Sequence, residues 1–416
     1  MKIKKIFARQ ILDSRGWPTI ECEVELENNQ KVKASVPSGA SVGKFECLEL
    51  RDNDPDFYLG RGVLKAVANI NKKIAPKLID KIPDVLEIDK ILLEFDGTEN
   101  KSNLGGNAIL AVSMAITRAQ AKSSNLELFS LIKKMYKTES IKIPKVMFNI
   151  LNGGVHANNG ICFQEFMIMP LKNSFSENLQ IAVVVYQNLK KLLQKSGYAT
   201  TVGDEGGFAP KFETKNETPE KIALDYLMEA INISKFEPGK DVAICLDVAA
   251  TQFYDEKNNV YKFYNKKLDS NELVGFYKTL LKDYPIVSIE DGLQQDDWTG
   301  WQFMTKEFGD KIQLVGDDIF VTNTARIKKG IDLNAANSVL IKPNQIGTVT
   351  ETLQAIKVAQ EAGYKIVASH RSGETNDSFI SDLSVGMNSE YLKAGAPARG
   401  ERVAKYNKLL EIELNS

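Results

Sequence analysis

After residue 145 the chain settles into one rhythm: a short apolar run, a polar turn, an amphipathic segment, then the next run. The runs are VMFNIL (146–151), FMIM (166–169), VAICL (242–246), IVSI (286–289), IQLV (312–315), SVLI (338–341), KIVAS (365–369) and EYL (390–392). Uninterrupted apolar runs of this length suit strands covered on both faces. Between most of them the spacing changes to that of helices. Over 348–362, Val349, Leu353, Ile356 and Ala359 share a face and Gly363 supplies the stop. Thr218-Pro219-Glu220 opens another helix, with Pro at its first position. Eight strand candidates alternating with helices predict an α/β barrel rather than an open sheet. The first two strands lie close together with no helix between them. That pair is therefore open to an antiparallel arrangement, which a standard barrel does not have.

Upstream the pattern is different. Cys22, Val24 and Leu26 alternate with Glu21, Glu23, Glu25 and Glu27, and Val32, Ala34 and Val36 alternate with Lys31 and Lys33. This predicts a β-hairpin over 19–36 with a three-residue loop at Asn28-Asn29-Gln30, placing Glu27 opposite Lys31 and Leu26 opposite Val32. The segment 38–52, SGASVGKFECLELRD, reads as a loop. Helical patterns follow at about 61–75, 87–95 and 107–123, the last apolar almost all round and so expected to be buried. A basic, polar stretch (133–145) ends this α+β part. The expected organisation is an N-terminal α+β domain over 1–138 and a C-terminal α/β barrel over 139–416. A chain of 416 residues has room for both.

Composition narrows the function. The 53 basic and 54 acidic residues leave a formal net charge of -1, so nothing global draws the chain to nucleic acid or an anionic membrane. No stretch approaches the roughly 18 apolar residues of a membrane span. The opening MKIKKIFARQ has no apolar run of signal-peptide length. Cys22, Cys47, Cys162 and Cys245 show no CxxC spacing, and reduced structural thiols in a cytoplasmic protein are expected. Neither G-x-G-x-x-G after a strand nor GxxxxGK[ST] occurs, which excludes dinucleotide and P-loop readings.

The chemistry lies at the ends of the apolar runs. VAICL is followed by Asp247, IVSI by Glu290, LVG by Asp317, SVLI by Lys342, KIVAS by His370-Arg371-Ser372, and EYL by Lys393. Gln164-Glu165 precedes FMIM. C-terminal strand ends of a barrel converge on one face, where active sites sit. A single acid after a strand is usually a helix cap, but three on successive strands, followed by ionisable groups on the next three, are hard to explain as caps. Asp247, Glu290 and Asp317 are hard oxygen donors suited to Mg²⁺. Three carboxylates and one dication leave a net negative charge, so a second dication is expected only with an anionic ligand. Phosphate is such a ligand.

Lys342 is the candidate general base. At its ordinary pKa only about 0.04% of it is neutral at pH 7, so metal ions and the Lys393 ammonium are expected to lower that pKa. GDEGGF (203–208) is a glycine-rich turn presenting Asp204 and Glu205, with Glu205 the candidate acid and Glu165 nearby. The two histidines, His156 and His370, both lie in loops at strand ends. Arg371 with Ser372 suits phosphate through a fork of donors.

The motifs NILNGGVHANN, FQEFMIMP, VGDEGGFAP, LDVAATQFYD, IEDGLQQDDW, LVGDDIFVTN, LIKPNQIGT, SHRSGETNDSFISDLSVG and LKAGAPARGERVAKYN resemble, in order, those of the enolase family. LDSRGWPTIECEV, VPSGASVGKFECLELRD and NLGGNAILAVSMA extend the resemblance upstream. It implies a capping domain, a barrel with an antiparallel second strand, and dehydration of 2-phosphoglycerate to phosphoenolpyruvate by a lyase with two Mg²⁺. A Lys base beside Mg²⁺ is a pairing general to that superfamily. Carried over by residue, Lys342 takes the C2 proton, Glu205 with Glu165 protonates the leaving C3 hydroxyl, and His370 supports the site. Asp247, Glu290 and Asp317 hold the first metal, and Ser41 ligates the second. Gln164, His156, Lys342, Arg371, Ser372 and Lys393 contact substrate. A homo-oligomer, usually a dimer, is implied. Val42, Asn158 and Gly400 depart from the family pattern without removing any of these groups. Two rival readings are a relative acting on another carboxylate and a non-catalytic protein on the same scaffold. Arg371-Ser372 and the Ser41 loop disfavour the first, and the retained acids and lysines the second.

Overall fold

The computed structural model describes residues 1–39, 43, 45–138, 140–214 and 217–415. Ile3–Leu12 (β1), Pro18–Leu26 (β2) and Lys31–Ser35 (β3) form an antiparallel sheet in the order β1-β2-β3. Cys22, Val24 and Leu26 point into the core with Ala34, as their alternation predicts. On the other face Lys31 Nζ lies 3.2 Å from Glu23 and 3.6 Å from Glu25.

The hairpin loop has the expected length but a different position. Leu26 N–H donates to Gln30 O at 2.9 Å and Asn29 N–H to Leu26 O at 2.8 Å, so the loop is Glu27-Asn28-Asn29. Glu25 faces Lys31 and Val24 faces Val32, a register offset by two residues from the expected Glu27–Lys31 pairing. An even offset leaves every side chain on the same face, so hydrophobic alternation could not tell the two apart. Asn29 decides it. Its φ of 65° fills the left-handed third position of the loop, which Asn tolerates better than Gln30 would.

The helix Gly106–Ser123 is buried on nearly every side, because the sheet covers one face and barrel helices cover the other. Its Ser113 Oγ accepts the N–H of Val349, and its Arg118 forms two bonds of 2.8 and 2.7 Å to Asp377. The pattern at 61–75 becomes Leu64–Ala68, a π-helical turn at Asn69–Ile74, and Ala75–Leu78. Within the wide turn Asn71 bonds both backbone groups of Ala8, at 2.7 and 2.9 Å. One expectation needs correction. The first part of the basic stretch is not a plain connector but the end of a helix, Leu128–Tyr136. Leu128, Phe129, Leu131 and Ile132 bury its apolar face, while Lys133 and Lys134 lie in its last turn.

The eight apolar runs all become strands: Lys145–Asn152 (β4), Glu165–Pro170 (β5), Val242–Asp247 (β6), then, after a small sheet of Tyr254–Asp255 (β7), Val260–Phe263 (β8) and Lys266–Leu268 (β9), Ile286–Glu290 (β10), Gln313–Gly316 (β11), Ser338–Ile341 (β12), Lys365–Ser369 (β13) and Tyr391–Lys393 (β14). Among the described residues they close a barrel in the order β10-β11-β12-β13-β14-β4-β5-β6. Its neighbours are parallel, except that β5 runs antiparallel to both β4 and β6. The link from Asn152 to Glu165 carries only the short 3-10 turn Gly154–His156 and no crossover helix, and the chain turns back. Met147, Met167, Cys245, Val315, Leu340 and Val367 fill the interior. The four cysteines are free, and Cys22, Cys47 and Cys245 are buried. Among the described residues no helix is long and apolar enough to cross a membrane.

Candidate active site

The barrel brings the strand-end residues together. Asp247 ends β6 and Glu290 ends β10, and the two are paired across the ladder. Asp317 follows β11, Lys342 follows β12, and His370, Arg371 and Ser372 follow β13. Lys393 ends β14 opposite Ser369. Because β5 is reversed, its first residue opens on the same mouth, and Glu165 stands opposite Asp247. Gln164 Nε2 donates to Asp247 Oδ2 at 3.2 Å. These groups surround a tight cleft of about 50 Å³, with Glu290 reaching it through Lys393. Ser41 and Val42 lie outside the described residues.

Lys393 is the electrostatic hub. Its ammonium lies 2.8 Å from Asp247 Oδ2, 3.0 Å from both Glu290 oxygens and 3.0 Å from Glu165 Oε1. Burial opposes its charge, but these carboxylates outweigh burial and hold the ammonium well above its usual range. Lys342 is ion-paired with Asp317, whose other oxygen accepts from Gln345 Nε2 at 2.9 Å. From the protein's own groups alone, Lys342 is held above its ordinary range. Burial, the largest single effect, pushes it down, and the charges of Asp317 and Glu290 together outweigh that.

A second group forms the facing wall. The GDEGGF turn docks on β4 through a Phe208–Leu151 bridge and holds Glu205 over the mouth. Gly206 has φ of 89°, and a Cβ on Gly207 would stand 2.7 Å from Asn152 Oδ1, so the turn needs both glycines. Glu205 Oε2 accepts from Asn149 Nδ2 at 3.1 Å and lies 3.2 Å from His370 Nε2. His156 Nδ1 sits 3.9 Å from Glu205 and 4.0 Å from Glu165. The two carboxyls are driven apart. Burial and the neighbouring Glu205 charge raise Glu165 well above the usual range. Glu205 is also opposed by burial, yet the histidines and Lys393 hold it well below. The two titrate as a coupled pair, with Glu165 the readier of them to hold a proton.

Arg371 and Ser372 are completed by the N-terminal domain. Arg371 donates to Glu46 at 2.9 and 3.3 Å and to Asn344 Oδ1 at 3.0 Å, and Arg15 Nη1 donates to Ser372 Oγ at 3.4 Å. Neither Glu46 nor Arg15 stood out in the sequence, because their roles depend on docking one domain on the other. Asp291 and Asp318 were also missed, though each directly follows a residue that was singled out. Asp291 accepts the N–H groups of Asp317 and Asp318, both at 2.9 Å, and shapes that turn. Burial, then Asp317, pushes Asp318 up to about 7.

The donor set fits a hard dication. Asp291, Asp317 and Asp318 present oxygens within 4.8 Å of one another. Asp247 and Glu290 lie outside that cluster and share the Lys393 ammonium, and among the described residues Glu165 Oε2 is buried without a hydrogen-bond partner. Buried carboxylates in such excess over ammonium groups demand added positive charge.

Two family models match the chain: Enolase, N-terminal domain, over residues 3–132, and Enolase, C-terminal TIM barrel domain, over residues 140–415. Those stretches coincide with the sheet-and-helix unit and with the barrel that carries the acidic mouth, and the chain belongs to the enolase family, whose members are lyase-type enzymes.

Proposed function

We propose that this chain catalyses the reversible dehydration of 2-phosphoglycerate to phosphoenolpyruvate, with residues 1–138 capping a catalytic barrel over 139–416. The observation that carries the proposal is the arrangement of Lys342 and Lys393 among Asp247, Glu290 and Asp317, with the Glu165–Glu205 pair lining the same cleft. Lys342 removes the C2 proton. The charge that develops on the substrate carboxylate is met by the Lys393 ammonium, which is already fixed and needs no reorganisation. Glu205, drawing on the proton held by Glu165, protonates the C3 hydroxyl as it leaves as water. Gln164 and His156 orient the substrate, and Arg371 and Ser372 bind its phosphate. His370 supports Glu205.

Asp247, Glu290 and Asp317 are the proposed holders of Mg²⁺, with Ser41 for a second ion that arrives with substrate. A dication held there would supply positive charge to the substrate carboxylate, and Asp317, as one of its holders, would be less able to keep Lys342 protonated. A cytoplasmic homo-oligomer is proposed with this activity, supported by the family and by the free cysteines. Ultraviolet absorbance of phosphoenolpyruvate provides the test. It is expected to rise when 2-phosphoglycerate and Mg²⁺ are added and to stay flat with a chelator. No rise with Mg²⁺ would overturn the reading.

A further inference from the structure

Arg402 lies on the helix Gly400–Asn415, behind the site, and is 0% exposed. Its guanidinium makes four short bonds. Nη1 donates to Arg371 O at 2.7 Å and contacts His370 Nδ1 at 2.6 Å. Nη2 donates to Ser372 O at 2.6 Å and to Asp204 O at 3.0 Å. One side chain thus ties the loop after β13 to the turn that carries Glu205.

The contact with His370 has a forced polarity. A guanidinium has only donors, so Nδ1 must present its lone pair, and the single proton of a neutral imidazole then sits on Nε2. That nitrogen is the one 3.2 Å from Glu205 Oε2. We infer that Arg402 is a positioning residue that fixes the His370 tautomer, keeping the Nε2 proton on the side of the ring that lies 3.2 Å from Glu205, though not aligned there for a hydrogen bond, while clamping the backbone of Arg371 and Ser372. The inference deepens the proposed reaction and rests on it for its catalytic consequence. With the opposite tautomer, a lone pair would face the Glu205 carboxylate, and Glu205 would take up the proton that the reaction needs to pass through the Glu165–Glu205 pair.

The chain has two histidines, so the imidazole nitrogens of the ¹⁵N-histidine-labelled full-length protein are readable by NMR. With Mg²⁺ present, wild type is expected to show one histidine fixed as the Nε2–H tautomer, and that signal should vanish in His370→Gln. An Nδ1–H tautomer, or a doubly protonated ring at neutral pH, overturns the assignment whether or not any variant folds. Arg402→Met removes every donor facing Nδ1 and is expected to give mixed tautomers with kcat lowered at least about tenfold. Arg402→Lys keeps a donor-only group and is expected to restore the tautomer in part. An unchanged tautomer and unchanged kcat in Arg402→Met would overturn the positioning role. If wild type forms no phosphoenolpyruvate, the proposed reaction fails, while the spectrum still decides the tautomer.

Discussion

Glu165 stands directly opposite Asp247 across two antiparallel strands, and the Lys393 ammonium bonds both, at 3.0 and 2.8 Å. In a barrel of uniformly parallel strands, the residue that starts β5 would open on the far mouth. The reversal of one strand is what brings Glu165, Gln164 and Asp247 into the same field.

Removing the hub cation should therefore be felt by the whole fold. Lys393→Met leaves Glu165, Asp247 and Glu290 without their shared ammonium, and the expected loss is about 3–5 kcal/mol without metal. Mg²⁺ should recover part of it, because added charge then meets the same carboxylates. Thermal melts with and without Mg²⁺ check this; a variant as stable as wild type in chelator would contradict the hub.

Lys342→Ala should abolish turnover by at least about 10³-fold while leaving Mg²⁺ binding intact or stronger, since Asp317 loses its competing ammonium. Steady-state kinetics and metal titration calorimetry read the two effects separately. Near wild-type kcat would remove Lys342 from the role of base.

Glu205→Gln should stop loss of the C3 hydroxyl but spare exchange of the C2 proton with solvent. The lysine and the carboxyl pair lie on different sides of the cleft and have separate partners. Deuterium uptake at C2, followed by NMR, distinguishes the steps. Loss of exchange together with dehydration would mean the division of labour is wrong.

His370 gives the acid limb of stability. Burial, which outweighs the Glu205 charge, pushes its pKa down to about 4. The unfolded chain then binds more protons than the native one between about 6.5 and 4, so stability is full above about 6.5 and falls as pH drops through that window. The loss from this group is on the order of 3 kcal/mol. Urea unfolding across that range should show a shallower slope for His370→Gln than for wild type. Equal slopes would mean that His370 titrates normally.

Much of this was legible in the residues. Each apolar run became a barrel strand because a strand covered on both faces needs nothing but apolar side chains. Asp247, Glu290, Asp317, Lys342 and Lys393 could be singled out because each sits at a strand end, and parallel strands share a mouth. The hairpin was harder. Alternation set which residues face the core, but the offset of two residues turned on the left-handed conformation at Asn29.

By itself the sequence determined periodicity, and with it the barrel, the inward faces and the set of ionisable groups at one rim, because those follow from spacing along a single chain. Tertiary structure alone decided who neutralises whom. Glu46 on Arg371, Arg402 on His370 and Lys393 between Asp247, Glu290 and Glu165 join residues far apart in the chain. Charge pairing acts over a few ångströms of space, and no spacing rule along the chain encodes which distant side chain arrives there.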